Sequence, residues 1–170
     1  MNNQELFTLF KSNTQVFTDA VRSFPASRFH AQPNAQIWSA AQITEHVYRA
    51  EFGTSRLFNG ATEALSDRES DAKFGDLERW CADRETKVEA SGPILPSGKH
   101  LEKEELLIKF TESRERLLEL AAQQNLDELC TRYNHPVFGF MTRKEWLYFN
   151  VLHANRHLHQ LDELKELVSK

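Results

Sequence analysis

The chain has 170 residues and a net charge of −4, a size typical of one domain, and we predict a single domain over residues 1–170. Its positive and negative residues are mixed, without a Lys/Arg-rich run, which argues against nucleic acid or an anionic membrane as a partner. The N-terminus lacks a signal-peptide pattern, and no stretch approaches the ~20 apolar residues of a membrane span, so a cytoplasmic location is expected.

Two helices are predicted in the first sixty residues from apolar side chains at spacings of three and four. The first covers residues 4–24 and is closed by Pro25. The second covers residues 39–59 and begins at a capping box, in which the side chains of Ser39 and Gln42 each accept a hydrogen bond from the other residue's backbone amide. Its buried stripe consists of Ile43, His46, Val47, Ala50, Thr54 and Leu57.

A connection of about forty residues separates the second helix from the third, long enough to cross from one end of a bundle to the other. Such a crossover allows these two helices to run parallel. The connection begins polar and ends in the helix breakers Pro93, Pro96 and Gly98. Within it, the spacing of Phe74, Leu77, Cys81 and Val88 is that of a short additional helix. The cysteines Cys81 and Cys130 lie outside any C-x-x-C pattern, and we interpret both as buried or incidental thiols.

The third and fourth helices are predicted over residues 103–124 and 143–168. Between them lies the turn-like segment 134–139, followed by a second capping box formed by Thr142 and Glu145. Four long helices, with almost no alternation of apolar and polar residues, predict an all-α four-helix bundle, and the case for strands is weak. The long crossover allows an up-down-down-up order of these helices.

Two histidines of the fourth helix, His153 and His157, are four residues apart and therefore lie on one helix face. Together with Asn150, they are in register with the predicted buried stripe, which consists of Trp146, Leu161, Leu164 and Val168. Burying two imidazoles costs free energy unless each is hydrogen-bonded or both share a ligand. A divalent metal ion is a common shared ligand, and the alternative is a pair of hydrogen-bonded core histidines.

A zinc-like ion with an open position usually takes three protein ligands, so a third ligand is required. His46 is the best candidate because it lies on the buried stripe of the second helix. His159 is rotated by about 200° from His157 and should face away. His30, His100 and His135 lie in predicted loops, and of these only His135 precedes the fourth helix closely enough to approach a pocket.

Several other kinds of site are excluded by their missing motifs. No Glu-x-x-His precedes any of the three candidate ligands, which argues against a carboxylate-bridged di-iron centre. The His-Glu-x-x-His helix of zinc proteases, the Gly-x-Ser-x-Gly elbow, the P-loop and Gly-x-Gly-x-x-Gly are also missing.

Two motifs in this order resemble the DinB/YfiT-like superfamily. The first is Trp38-Ser-Ala-Ala-Gln-Ile-Thr-Glu-His46, and the second runs from His135-Pro-Val-Phe-Gly through Glu145-Trp to His153-x-x-x-His157-Leu-His-Gln160-Leu. The resemblance extends from about residue 5 to residue 168. One departure is His159, which stands where Arg or another residue often precedes the glutamine.

The resemblance implies a four-helix bundle of up-down-down-up order, frequently dimeric, with a divalent ion held by His46, His153 and His157. Members of the superfamily include transferases that use a low-molecular-weight thiol and proteins described as metal-dependent hydrolases. Three imidazoles suit Zn, Ni, Cu or Fe, so the ligand set does not choose the ion.

Two functions of different classes follow as hypotheses. One is a metal-dependent enzyme that hydrolyses a small molecule or transfers a thiol to it; the other is a non-catalytic, dimeric bundle with a structural metal or none. No catalytic residue is predicted, and Glu45 points about 100° away from His46. Asn150 and Gln160 are candidates for orienting an imidazole or a substrate, or are polar residues at the end of a core stripe.

Overall fold

A computed structural model describes residues 1–85 and 90–168 and confirms the predicted four-helix bundle. Over these residues the chain forms five α-helices, which are α1 (Asn3–Arg22), α2 (Ala40–Phe58), α3 (Phe74–Ala82), α4 (Lys103–Gln123) and α5 (Arg143–Val168). The four long helices build the bundle and correspond to the four predicted ones. The short α3 confirms the additional helix expected in the crossover, although Val88, which was assigned to it, lies outside the described residues.

The directions of the four long helices follow from the contacts at their ends. Lys103, at the start of α4, donates a hydrogen bond to the carbonyl of Phe24 just after α1, 2.9 Å away, so these two helices are antiparallel. Lys165, near the end of α5, contacts Ser23 at 3.1 Å, so α5 runs parallel to α1. The beginnings of α2 and α4 share one apolar cluster and their ends share another, so this pair is also parallel. The order is therefore up-down-down-up.

A polar layer separates the two apolar clusters at the middle of the bundle. Its centre is a buried ion pair, in which Arg114 of α4 donates from Nε and Nη2 to the two carboxylate oxygens of Glu51 of α2, each at 2.7 Å. Arg114 also donates to the side chain of Asn13 in α1 at 2.7 Å and to the carbonyl of Asn150 in α5 at 3.3 Å. One guanidinium thus connects all four long helices.

The all-α prediction misses a small sheet. Strands β1 (Thr62–Glu63), β2 (Leu129–His135) and β3 (Gly139–Thr142) form an antiparallel sheet in that order, with β2 and β3 joined as a hairpin at the predicted turn. The sequence pattern of β2 does not indicate a strand. Cys130 is the one buried residue of β2, so the alternation of apolar and polar residues that marks a half-buried strand is missing. Its other partner, β1, lies far away in the sequence. His135, predicted in a loop, is the last residue of β2.

The crossover between α2 and α4 is held against the bundle. Within it, α3 packs on α5, where the ring of Phe74 stacks on Tyr148 at 4.1 Å and the Tyr148 hydroxyl donates to Glu78 at 2.5 Å. Arg68 forms a bidentate ion pair with the fully buried Glu145 at the start of α5. None of the helices in the described part of the chain is long and apolar enough to span a bilayer.

Candidate metal centre

The helices that carry the three candidate histidines begin at the two capping boxes predicted from sequence, and both boxes are confirmed. At the start of α2, Ser39 Oγ accepts from Gln42 N at 3.2 Å, and Gln42 Oε1 accepts from Ser39 N at 2.9 Å. At the start of α5, Thr142 and Glu145 make the equivalent pair of bonds at 3.0 and 2.9 Å. These caps satisfy orphan amides and so define where each helix begins. The capped ends place the histidines on the inner faces of α2 and α5.

His46, His153 and His157 converge between α2 and α5. The Nε2 atom of His153 lies 3.3 Å from Nε2 of His46 and 3.1 Å from Nε2 of His157. His46 and His157 are buried, with 4% and 6% of their surface exposed, and His153 is partly buried. The structure therefore brings together three nitrogens from residues up to 111 positions apart in the sequence (157 − 46).

The outer nitrogens of two of these rings determine which tautomer each ring adopts. His46 Nδ1 donates to the backbone carbonyl of Ile94 at 2.8 Å, and His157 Nδ1 donates to Oε1 of Gln160 at 2.7 Å. A neutral imidazole carries a single N–H, so the Nε2 atoms of His46 and His157 both present lone pairs. Both lone pairs face His153 Nε2, which carries at most one proton. The cluster therefore has more acceptors than donors.

Burial keeps all three imidazoles neutral near pH 7. It lowers the pKa of His46, and it lowers the pKa of His157 to about 3, with His46 adding to the effect. The pKa of His153 lies well below its ordinary value, first because of burial and then because of the neighbouring His157 and His46. Protonation would add positive charge to a site in which the described residues place no carboxylate among the three potential ligands. Neutral rings are the form that ligates a metal ion.

The donor set fits a first-row divalent ion. Zinc–imidazole bonds of about 2.0–2.1 Å place the nitrogens of a tetrahedral site about 3.3 Å apart, and an octahedral face about 3.0 Å apart. The two Nε2–Nε2 distances of 3.3 and 3.1 Å lie in this range. Two of the three nitrogen pairs are thus already spaced for one ion, and all three nitrogens lie within 4.8 Å of one another.

Aromatic rings and the crossover surround the imidazoles. Trp38 lies 5.0 Å from the His46 ring, and Phe149 stacks on His153 at 5.8 Å, measured between ring centres. The 3₁₀ turn Gly92–Ile94 is fastened to α2, since Arg49 donates to the Pro93 carbonyl at 2.8 Å in addition to the His46–Ile94 bond.

Glu45 takes part in fastening this crossover and is not directed at the imidazoles. Its carboxylate accepts from Ser97 N at 3.0 Å and lies 3.5 Å from Arg49. The cluster of potential ligands found among the described residues consists of the three histidines, without a carboxylate. The expectation that Glu45 points away from the His46 face therefore agrees with its contacts.

The remaining histidines lie elsewhere. His159 is exposed, as its rotation from His157 predicts. His30 and His100 stack on each other at 3.9 Å beside a surface cleft. His135 is enclosed by aromatic rings, and its Nδ1 accepts from the backbone amides of Val137 and Phe138 at 3.2 and 3.3 Å. The ring of Phe149 contacts both His135 and His153, so His135 is separated from the three converging imidazoles by one aromatic side chain.

The two residues predicted to orient ligands differ in their contacts. Gln160 bonds to His157, one turn before it in α5. Asn150 instead accepts from the Thr54 hydroxyl at 3.2 Å, and its buried Nδ2 has no hydrogen-bond partner among the described residues.

Sequence reasoning missed two contributors near the site. The Ile94 carbonyl belongs to the backbone of the crossover, and side-chain patterns carry no signal for it. Arg114 could have been found, because it falls in register with the apolar stripe of α4, four residues after Phe110 and three before Leu117. A charged residue at such a position requires a buried partner, which is Glu51.

Comparison with known proteins agrees with this architecture. The chain is 23% identical over 147 residues to the uncharacterized protein YuaE of Bacillus subtilis (strain 168), covering 84% of this chain and 86% of that protein. It superimposes on the crystal structure of TT2238, a four-helix bundle protein, with a TM-score of 0.56 and 18% identity, covering 96% of this chain and 98% of the other. The sequence model of the DinB superfamily matches residues 9–161, and the chain therefore belongs to the DinB superfamily.

Proposed function

We propose that His46, His153 and His157 together bind one divalent metal ion, and that the protein is a metal-dependent enzyme acting on a small molecule. The observation that carries this proposal is the excess of lone pairs. Two Nε2 atoms present lone pairs to a third nitrogen that has at most one proton. A cation between the three rings satisfies all three nitrogens at once.

The proposed reactions are hydrolysis of the small molecule or transfer of a low-molecular-weight thiol to it. An ion held by three neutral imidazoles supplies Lewis acidity, which lowers the pKa of a water or thiol nucleophile and polarises the group under attack. Zn, Ni and Fe all suit these ligands.

The residues of the chain have their own roles in this proposal. The Ile94 carbonyl and the Gln160 side chain hold two imidazoles in the tautomer that aims Nε2 inward. Trp38 and Phe149 provide apolar walls that limit the access of water. The described residues include no carboxylate in the cluster of potential ligands, so the proposal assigns no general base and no further catalytic residue.

One observation favours the second candidate, a non-catalytic bundle whose metal is structural. Two clefts on the described surface, of about 200 and 250 Å³, are lined by residues other than the three histidines. A closed coordination shell would serve stability rather than turnover.

A homodimer and a cytoplasmic location complete the proposal. Val16 is 51% exposed and Leu9 is 37% exposed, seven residues apart on the outer face of α1, where a second copy would cover them. The spacing places both side chains on one side of the helix. Sedimentation analysis of the wild type and of Val16→Glu tests this part, and a monomeric wild type would contradict it.

Elemental analysis of untagged protein tests metal binding directly. We expect about one equivalent of a transition metal in the wild type and in His159→Ala, which removes an exposed imidazole from the same helix. His153→Ala should lose the metal while remaining folded by circular dichroism. A metal-free wild type that takes up none of Zn, Ni or Fe in titration would overturn the proposal.

Activity measurements then separate the enzyme from the structural alternative. Metal-loaded wild type is assayed against ester and amide substrates, and against an electrophilic substrate together with a low-molecular-weight thiol. Turnover that disappears in His153→Ala and persists in His159→Ala supports the enzyme. Bound metal that raises the melting temperature without any turnover supports the structural role.

A further inference from the structure

A surface cleft of about 250 Å³ between α2, α4 and β2 is lined by positively charged side chains from all three elements. Arg56 comes from α2, Arg116 from α4 and Arg132 from β2. No aspartate or glutamate is among the described residues that line it. In a chain of net charge −4, three guanidinium groups around one cleft form a local field of the opposite sign.

These three arginines also lack ion pairs within the described part of the chain. Arginines elsewhere on the surface do have them, including Arg22 with Asp19, Arg79 with Asp76 and Arg84 with Glu163. The charge of the cleft is therefore not neutralised locally. Like charges held around one concave surface repel each other, and an anion between them removes that repulsion.

Local packing helps to hold two of the three side chains over the cleft. The side chain of Arg132 crosses the backbone at Gly60. A Cβ atom at position 60 would lie only 3.1 Å from Cδ of Arg132, so the close approach depends on the missing side chain of Gly60. The guanidinium of Arg56 lies 5.1 Å from the centre of the Phe52 ring, which is 42% exposed. The hydroxyls of Ser55 and Ser113 add neutral donors to the lining. The fold thus already restricts these arginine side chains, so a ligand loses less free energy in ordering them.

We propose that this cleft binds a phosphate group, either as free phosphate or as a monoester of a small molecule. Guanidinium groups bind phosphate through paired, charge-assisted hydrogen bonds, and three of them match a dianion with several acceptor oxygens. The exposed Phe52 ring at the rim provides an apolar surface for the organic part of an ester. The cleft is independent of the imidazole cluster, none of whose residues lines it.

Calorimetric titration with inorganic phosphate and, separately, with phenyl phosphate tests the proposal. The proteins are the wild type, Arg116→Gln, Arg132→Gln and the control Arg22→Gln, which removes the same charge from α1. We expect the dissociation constant to rise at least about fivefold in each cleft variant and to stay unchanged in the control. His153→Ala is titrated as well, because phosphate could also bind to a metal ion at the imidazoles.

Binding that is weakened by the cleft variants and kept in His153→Ala supports the site. Tighter binding of phenyl phosphate than of inorganic phosphate then indicates an organic ester as the ligand, and equal binding indicates free phosphate. The proposal is overturned if neither compound binds at about 10 mM, if the cleft variants bind like Arg22→Gln, or if binding is lost in His153→Ala.

Discussion

Two buried polar clusters lie in the same bundle, and their hydrogen-bonding balance differs. In the Arg114 cluster, the donors of one guanidinium meet both oxygens of Glu51 and the acceptors of Asn13 and Asn150. In the histidine cluster, two lone pairs face one nitrogen with at most one proton. The first cluster is complete in its buried ion pair, whereas the second lacks a positive partner.

Burial of polar groups therefore does not by itself indicate a ligand site. Both clusters are largely buried, and both combine residues from at least two helices. A complete cluster stabilises one arrangement of the helices and needs nothing from solution. An incomplete cluster costs free energy until a ligand completes it, and this is why we assign metal binding to the histidines alone.

The largest effect is expected from breaking the complete cluster. Arg114→Met leaves the Glu51 carboxylate buried without its partner, which should lower the free energy of unfolding by about 3–5 kcal/mol in urea denaturation. The double variant Glu51→Met/Arg114→Met should recover most of this loss, because no unpaired charge remains. Arg116→Met, an exposed neighbour on the same helix, is the control and should change stability by less than about 0.5 kcal/mol. A loss below about 1 kcal/mol in the single variant would contradict the picture of a complete buried pair.

Adding and removing the ion should change stability through the incomplete cluster. At a free ion concentration of one hundred times Kd, the wild type should gain about 2.7 kcal/mol, and excess chelator should abolish the gain. For a chain of this size, the melting temperature should rise by about 5–10 °C. His153→Ala should show no such gain, whereas Arg116→Met should keep it. Equal melting temperatures of the wild type with ion and with chelator would show that the histidine cluster is complete without metal.

Removing the Gln160 acceptor should weaken the ion without unfolding the bundle. In Gln160→Leu, His157 loses the bond that keeps its Nδ1 protonated and its Nε2 directed inward. The metal dissociation constant, measured by competition with a chelating dye, should rise about 10- to 100-fold. The matched control is His159→Ala, whose side chain is exposed one residue away. Unchanged affinity in Gln160→Leu would mean that this hydrogen bond does not orient the ring for a ligand.

The smallest effect concerns His135, a half-buried imidazole outside both clusters. Burial, aided by the charge of Lys73, lowers the pKa of His135 to about 4 from its ordinary value of 6.5. The unfolded chain therefore takes up a proton between about pH 6.5 and pH 4 that the folded chain does not, so acid destabilises the fold in this window.

The variant His135→Asn isolates that contribution, since an asparagine oxygen can still accept from the amides of Val137 and Phe138. Between pH 7 and pH 4 the variant should lose about 1 kcal/mol less stability than the wild type, because part of the shift is screened by solvent. Urea denaturation at both pH values measures it, and His159→Asn is the control. Parallel pH profiles of the wild type and His135→Asn would contradict the assignment.

Much of the bundle was predictable because helices are encoded locally. The stripe from Ile43 to Leu57 and the capping pair of Ser39 and Gln42 lie within one stretch of chain, so their spacing alone predicts α2. The short α3 was predicted in the same way from Phe74, Leu77 and Cys81.

Both cysteines are free and buried, and burial raises their pKa values, to about 12 for Cys81 and about 11 for Cys130.

The sheet and the polar layer could not be predicted from local sequence patterns. The register of β1 on β2 joins Thr62 to Cys130, two residues that no spacing rule relates. The pairing of Glu51 with Arg114 likewise depends on how α2 and α4 are packed. Each of these is a contact between segments separated by more than sixty residues, whose identity depends on the whole topology.

The sequence alone was enough to place His46, His153 and His157 on the inner faces of two capped helices, because helical periodicity assigns each side chain to a face. The distances of 3.3 and 3.1 Å from His153 Nε2 to the Nε2 atoms of His46 and His157 depend on the tertiary structure. So does the hydrogen bond from His46 Nδ1 to the Ile94 carbonyl, which orients the His46 ring. The reason is physical: a helix specifies direction around its own axis, whereas distance between helices is set by the packing of the entire core.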